Sequence, residues 1–332
     1  MWRGVRGHDE AVESFRQALA CGRLASTYLF VGPDGVGKRT FARRLAECLL
    51  CTMTSEVELT ACGECDSCRL FAAGNHPDLD EVTRPEGKRT LPIELFVGDR
   101  DHRNQTGLCH NISLRPLLGR RRAAIIDDAD WLGIESANSL LKTLEEPPPG
   151  AIIILVGTSR SRQLPTILSR SQIVRFAPLE RGDLASILVE QGLAADADEA
   201  QRLAELAGGS VAAARELASP ELASMRDRFV ASWRRDQIDL PRLCNELGEF
   251  VNAAGKEAEA KRARLRQLLT LVAESWRVEL REKLADGTEV EFLLAALDRT
   301  MTAEEQLDRN ANQATLLECW ASDLAAARSS RA

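Results

Sequence analysis

The chain has no long hydrophobic run. None of its apolar stretches approaches the roughly 20 residues needed to cross a bilayer, so no membrane-spanning helix is expected. The first residues, Met1-Trp-Arg-Gly-Val-Arg, lack the apolar core of a signal peptide, and the expected location is the cytosol. Positive charge is not in surplus: 43 Lys and Arg stand against 50 Asp and Glu, a net charge of −7. The protein as a whole is therefore not a free-standing grip on nucleic acid, and any DNA contact must come from local basic patches or from an assembly. No heptad pattern persists long enough for a coiled coil. No acidic triad stands in a polymerase-like setting. What remains is ordinary for a globular protein: 332 residues, 44% hydrophobic and 28% charged. That length suggests about two or three domains.

The stretch that organises the chain is Gly32–Thr40, Gly-Pro-Asp-Gly-Val-Gly-Lys-Arg-Thr. The apolar run Thr27–Val31 precedes it, and Phe41, Leu45 and Leu49 follow about one helical turn apart. This is the strand–loop–helix layout of a phosphate-binding loop. Gly32, Gly35 and Gly37 let the backbone turn its N–H groups toward a phosphate, the helix N-terminus adds partial positive charge, and Lys38 can reach the β- and γ-phosphates. The motif G-x-x-x-x-G-K-[ST] fits through Lys38 and then fails by one residue. Arg39 stands where a magnesium-binding hydroxyl belongs, and the hydroxyl arrives one place late at Thr40. A nucleotide-binding fold is expected; an intact hydrolytic site is not.

The nine cysteines of a cytosolic chain point to reduced thiols or metal rather than disulfides. Cys51, Cys62, Cys65 and Cys68 follow the pattern C-x10-C-x2-C-x2-C. Thiolates at this spacing can close a tetrahedron around Zn²⁺, and four protein ligands make the site structural rather than catalytic. Cys48 fits the helix pattern and is assigned to the core. Cys21, Cys109, Cys244 and Cys319 are isolated and are expected to be small buried hydrophobes. His76 lies beside Pro77, where a histidine is more often a turn residue than a ligand, and it is left unassigned.

Further along, Leu79–Val82 is strand-like, and Glu86–His110 is polar and irregular apart from Leu95–Val97. Arg115 and Arg120–Arg122 form a basic cluster that suits either a solvated face or a phosphate contact. The apolar strand Ala123–Ile126 then runs into Asp127-Asp128-Ala129-Asp130. An apolar strand ending in acids is the second half of a phosphate-loop site, the first acid serving Mg²⁺ and the next polarising water. Asp128 is one methylene shorter than the glutamate common at that position. A helix over Ser136–Glu146 stops at Pro147–Pro149, a strand over Ile152–Val156 ends at Gly157-Thr158, and Leu164–Ser171 forms a short helix and turn before the strand Ile173–Phe176. Alternating strands and helices imply a parallel sheet covered on both faces. From about Pro178 the strands stop. Helices are expected over Asp183–Gln191, Asp198–Ala207, Val211–Ala218, Glu257–Leu284 and Gln313–Ala327, with Leu265, Leu268, Leu269, Val272 and Trp276 on one side of the fourth.

Taken in order, the phosphate loop, the four-cysteine insertion, Asp127–Asp130, Ala-Asn-Ser-Leu-Leu-Lys-Thr-Leu-Glu-Glu-Pro-Pro over 137–148 and Leu-Pro-Thr-Ile-Leu-Ser-Arg over 164–170 resemble the bacterial clamp-loader branch of the AAA+ ATPases, within it the delta-prime subunit family of DNA polymerase III. The motifs cover about half the chain. The resemblance implies an α/β P-loop AAA+ domain over 1–178 with a zinc module near 48–72, a helical lid over 179–219 and an all-α collar over 220–332. It implies a place in a five-member ring that opens a sliding clamp and loads it onto primed DNA, with no membrane partner. It also implies that Lys38 meets nucleotide phosphate, that Asp127 is the magnesium-side acid and that Thr158 senses the γ-phosphate. Arg170 would reach into a neighbour's site, and Cys51, Cys62, Cys65 and Cys68 would hold Zn²⁺. Four departures stand against the family pattern: Arg39, Asp128, Ser171 for the commoner Cys, and Ala212 where motor subunits carry an arginine. Three of these fall on the chain's own hydrolysis machinery, so ATP with Mg²⁺ is expected to bind weakly or not at all. The alternatives are an ATP-hydrolysing gamma/tau-like motor subunit of the same ring and another AAA+ remodeller such as a helicase loader.

Overall fold

A computed structural model describes residues 2, 4–235, 237–285, 290–309 and 311–329. The reading of the extreme N-terminus as lacking a leader falls partly on residues 1 and 3, outside the described residues. The chain divides into two compact units, Met1–Leu179 and Glu180–Ala332.

The first unit is built on five strands: β1 Thr27–Val31, β2 Leu79–Val82, β3 Arg122–Ile126, β4 Ala151–Gly157 and β5 Gln172–Arg175. They lie in the order β2-β3-β4-β1-β5, every pairing parallel. Side chains alternate across a strand, so each apolar strand feeds two cores. On one face Tyr28, Phe30, Ile152 and Ile154 pack with Val12 and Phe15 of α1 (Asp9–Ala20) and with Phe41 and Leu45 of α2 (Lys38–Leu50). Phe71 of α3 (Asp66–Ala72) joins the same core. On the other face Leu29, Val31, Ile153 and Leu155 meet Phe96 of α4 (Glu94–Val97), Ile112 of α5 (Leu108–Ser113), Leu140 of α6 (Ile134–Glu145) and Ile167 of α7 (Pro165–Leu168).

Residues 86–110 are not irregular throughout. They include α4 and the start of α5, with Leu91, Phe96, Val97 and Leu108 buried under the second sheet face. Both helices are too short to display a helical period in sequence, and tertiary packing holds them.

The second unit is all helical among the described residues: α8 Arg181–Glu190, α9 Ala197–Leu206, α10 Val211–Leu217, α11 Pro220–Ser232, α12 Leu240–Asn252, α13 Ala258–Ala285, α14 Glu291–Asp308 and α15 Gln313–Ser329. Four of these helices start on side-chain caps: Asp196 accepts from the Glu199 N–H at 2.7 Å, Ser210 from Ala213 at 3.1 Å, Asp239 from Arg242 at 3.1 Å and Asn312 from Thr315 at 3.2 Å. Each cap contributes about 0.5–2 kcal/mol relative to alanine. Leu265, Leu268, Leu269, Val272 and Trp276 of α13 are all buried, as their spacing predicts. Trp320 stacks on Phe229, with ring centroids 4.5 Å apart.

The sheet order determines where chemistry can occur. β4 lies between β1 and β3, so the segments leaving β1, β4 and β3 emerge side by side at one end of the sheet. Ligands of open parallel sheets bind at that carboxyl end.

Candidate nucleotide site and metal centre

The loop after β1 turns into α2 on two glycines with left-handed backbone, Gly35 at φ 74° and Gly37 at φ 98°. Gly32 is required for space: a Cβ there would overlap the Phe176 carbonyl oxygen. Helix α2 has no side-chain cap and no acid in its first turn, so its N-terminus keeps the partial positive charge that suits an anion. His8 supports the loop from beneath by donating from Nε2 to the Val36 carbonyl oxygen at 2.7 Å.

Lys38 is only 5% exposed. Its Nζ donates to the carbonyl oxygens of Gly32 at 2.7 Å and Pro33 at 2.6 Å, inside the loop. Burial lowers its pKa, and Asp34, Asp130 and Asp127 pull against that shift. Arg39, the next residue, reaches Asp127: its Nη1 lies 3.3 Å from Asp127 Oδ2. Burial raises the pKa of Asp127, while the Asp128 N–H and the Arg39 charge work to lower it. Thr40 is exposed and faces elsewhere, lining a groove of about 460 Å³ with Arg43, Arg44, Glu47, Phe71 and Ala72. Arg39 is turned toward Asp127 and Thr40 toward α3, so the Thr40 hydroxyl does not stand in for the missing one.

Asp128 adopts a left-handed backbone at φ 55°, and its carboxylate lies 3.9 Å from Arg84 Nε. The Arg84 guanidinium in turn covers the Trp131 ring at 4.8 Å. Thr158, just after β4, is held by a residue to which sequence reading gave no role. Asp130 Oδ2 accepts from the Thr158 N–H at 2.7 Å and from its hydroxyl at 2.6 Å, and Gln163 donates to Oδ1 of the same carboxylate. Gly157 is required beside them, since a Cβ would come within 2.6 Å of Gln163 Nε2 and 2.7 Å of Asp130 Oδ1. The one available signal was that Asp130 is the third acid of an acidic run, which gives no hint of its partners.

Arg170 follows α7. Its Nε donates to Glu145 Oε1 at 3.1 Å, and its Nη1 donates to the Thr166 carbonyl oxygen and to Ser169 Oγ, each at 3.0 Å. Glu145 is the last residue of α6, so the acidic end of the Leu-Leu-Lys-Thr-Leu-Glu-Glu stretch holds this arginine.

The four predicted cysteines converge. Cys51 Sγ lies 3.7 Å from Cys62 Sγ and 4.0 Å from Cys65 Sγ, and Cys62 lies 3.9 Å from Cys68. A tetrahedral ion with Zn–S bonds of about 2.3 Å requires S···S edges of about 3.8 Å, so the donor set fits a thiolate-binding ion. Backbone N–H groups point at three of the sulfurs: Cys62 N at Cys51, Cys65 N at Cys62 and Cys68 N at Cys65. Burial opposes ionisation of Cys51 and Cys65. Donors from Thr54, Cys62 and Met53 outweigh it and bring Cys51 down to about 6, and donors from Thr52 and Cys68 bring Cys65 to about 7. Burial, with the other thiols crowding it, pushes Cys68 up.

His76, left unassigned by the sequence, is placed by its contacts. Its Nδ1 accepts from the Asp78 N–H at 3.0 Å, so Nε2 carries the proton and donates to Ser67 Oγ at 2.8 Å. Ser67 then donates to the Leu50 carbonyl oxygen at 2.7 Å, tying the knuckle helix to the end of α2. The basic cluster also differs from its sequence reading. Arg121 donates twice to Glu56, at 2.8 and 2.7 Å, and Arg122 is buried beside Asp78 and the Pro77 carbonyl. These two guanidinium groups serve the fold rather than a phosphate. Cys48 is buried as expected, but Cys21 and Cys319 are exposed, and Cys109 and Cys244 are only partly covered. An isolated cysteine carries no signal of the helix face on which it lies.

Residues 7–180 match the family model described as DNA polymerase III, delta subunit. This chain belongs to that family. Among its relatives in the DNA polymerase III group, subunit delta' of Pseudomonas aeruginosa is 32% identical over 207 residues, 62% of this chain and 60% of that protein. Subunit tau of Escherichia coli is 34% identical over 225 residues, 66% of this chain and 33% of that protein. The match thus spans between a third and three-fifths of these two relatives. A solved gamma subunit-related protein of Thermotoga maritima is a distant likeness, with 19% identity, TM-score 0.44, and coverage of 96% of this chain and 98% of that one. This DNA polymerase III family member has in its first unit the expected parallel sheet with helices on both faces and a glycine loop after β1, with a four-cysteine cluster inserted between α2 and β2.

Proposed function

We propose that this DNA polymerase III family member is a delta-prime-like clamp-loader subunit that supports hydrolysis in its neighbours rather than carrying it out. The observation that supports this most is the Arg39–Asp127 pair. A guanidinium stands where the cation-binding hydroxyl belongs and engages the acid that would face the cation. Asp128 is turned toward Arg84, and Ala212 gives the lid turn no cation, so the remaining γ-phosphate contacts are also thin. Arg170 is kept, and its role is to reach the nucleotide of an adjacent subunit. Gly32, Gly35, Gly37, Lys38 and Thr158 keep the outline of a nucleotide site. Cys51, Cys62, Cys65 and Cys68 hold a structural Zn²⁺. Residues 179–219 act as a lid and 220–332 as a collar in a five-member ring that loads a sliding clamp onto primed DNA.

The second reading is a motor subunit, favoured by the likeness to a protein named tau at 34% identity, against 32% for a protein named delta'. Reconstitution with candidate partner subunits separates the two. Clamp loading should depend on this chain, while Lys38→Ala should barely change the ATPase rate of the assembly. A loss as large as the same change causes in a motor subunit would favour the motor reading, and loading that proceeds equally well without the chain would reject both.

A further inference from the structure

The phosphate loop does not fit a magnesium ion. Such an ion needs an octahedron of oxygens, normally begun by a hydroxyl at the position after the loop lysine. Here that position is Arg39. The next hydroxyl, Thr40, lines a groove toward α3, and the Thr158 hydroxyl is already donated to Asp130. Asp127, the acid that would face the cation, instead has Arg39 Nη1 at 3.3 Å from its Oδ2. A divalent ion would have to displace this guanidinium and then sit against its charge.

We propose that Arg39 takes the cation's place, so that the loop binds the phosphates of a nucleoside di- or triphosphate without any divalent metal. This rests on the reading of the loop as a nucleotide site. The side chain suits the task. It is nearly half exposed, so the pair with Asp127 orients the guanidinium without closing it off. A guanidinium carries five N–H donors in a planar fork, and the carboxylate takes one side, leaving donors for phosphate oxygens. Lys38 lies beside it at the loop, and the uncapped start of α2 contributes backbone N–H groups. Two fixed cations then balance phosphate charge that one lysine and a metal balance elsewhere. Unlike a metal ion, Arg39 cannot leave with the nucleotide or supply coordinated water, which agrees with a site that binds and does not turn over.

The test is a titration of fluorescent ADP into the purified full-length chain, with and without Mg²⁺. Magnesium is omitted rather than chelated, because a chelator would attack the cysteine cluster. The wild-type dissociation constant should agree within about twofold between the two buffers, a difference well below the tenfold that corresponds to 1.4 kcal/mol. Arg39→Ser should lose about tenfold or more in magnesium-free buffer and recover when Mg²⁺ is added, because it restores the missing hydroxyl. Arg39→Lys should still bind without metal but more weakly, a single ammonium replacing the fork. Circular-dichroism melts of each variant establish that it is folded. Wild-type binding that rises about tenfold with Mg²⁺, or no binding in either buffer, overturns the proposal. The titration uses the isolated chain, so its outcome is independent of clamp-loading reconstitution.

Discussion

At the scale of single residues, Arg170 and His76 show how exposure decides what a polar contact contributes. The Arg170–Glu145 pair is open to water, with side-chain exposures of 30% and 50%, and exposed ion pairs contribute about 0–1 kcal/mol. Arg170→Ala should therefore leave the melting temperature of the isolated chain nearly unchanged. In a reconstituted assembly it should lower DNA- and clamp-stimulated ATPase and clamp loading, since a finger supplied in trans can be worth roughly 10³–10⁵ at one site. Arg170→Lys should rescue only part of the loss. Wild-type rates with Arg170→Ala would reduce the residue to a local ion pair. His76 is the opposite case. Burial holds its pKa below the ordinary value, Asp78 opposes that shift and Arg122 adds to it. An unfolded chain takes up this proton near pH 6.5 while the folded chain resists it, so stability should fall as pH drops from about 7 toward 5. Replacing the imidazole in His76→Gln should flatten that slope and cost about 1–3 kcal/mol at pH 7 through the broken Ser67 and Asp78 contacts. Urea midpoints at several pH values measure both effects, and equal slopes for the two proteins would refute the assignment.

At the scale of elements, the knuckle carries little regular structure before α3. Between α2 and α3 there is only a short 3₁₀ turn at Glu56–Glu58, yet Leu59, Ala61 and Phe71 are buried in the core beneath it. Side-chain contacts from Trp2 to the Leu59 carbonyl and from Arg121 to Glu56 tie this segment down, and a metal held by the four thiols would add a cross-link to them. Purified protein should contain about one zinc per chain, as four-thiolate sites do. Cys65→Ser should lose that metal, lower the thermal midpoint and speed amide exchange across residues 51–72 while β1, β3 and β4 stay protected. Elemental analysis and hydrogen exchange measure these outcomes. Unchanged zinc content in Cys65→Ser would remove this cysteine from the site.

At the scale of the whole molecule, each compact unit has its own apolar interior. In the first unit both faces of the sheet are covered within residues 1–179, and every strand of the sheet lies inside that span. A fragment ending at Leu179 should therefore fold, retain its metal and unfold cooperatively in denaturant. A fragment that precipitates or melts without a transition would mean that the first unit needs the second.

The sequence by itself determined what is local. Strands β1 and β2, the course of α2, the glycine loop, the four-cysteine spacing and the apolar side of α13 were legible because period, turn chemistry and ligand spacing act over a few residues. It also named Arg39 as the departure from the loop motif. Only the tertiary structure decided partners: Arg39 with Asp127, Thr158 and Gln163 with Asp130, Arg170 with Glu145, His76 with Ser67, and Arg121 with Glu56. The same holds for the short helices α4 and α5, which exist because the second sheet face needs cover. The reason is the order β2-β3-β4-β1-β5, which places distant strand ends side by side and so chooses which charges meet, a choice that no local pattern encodes.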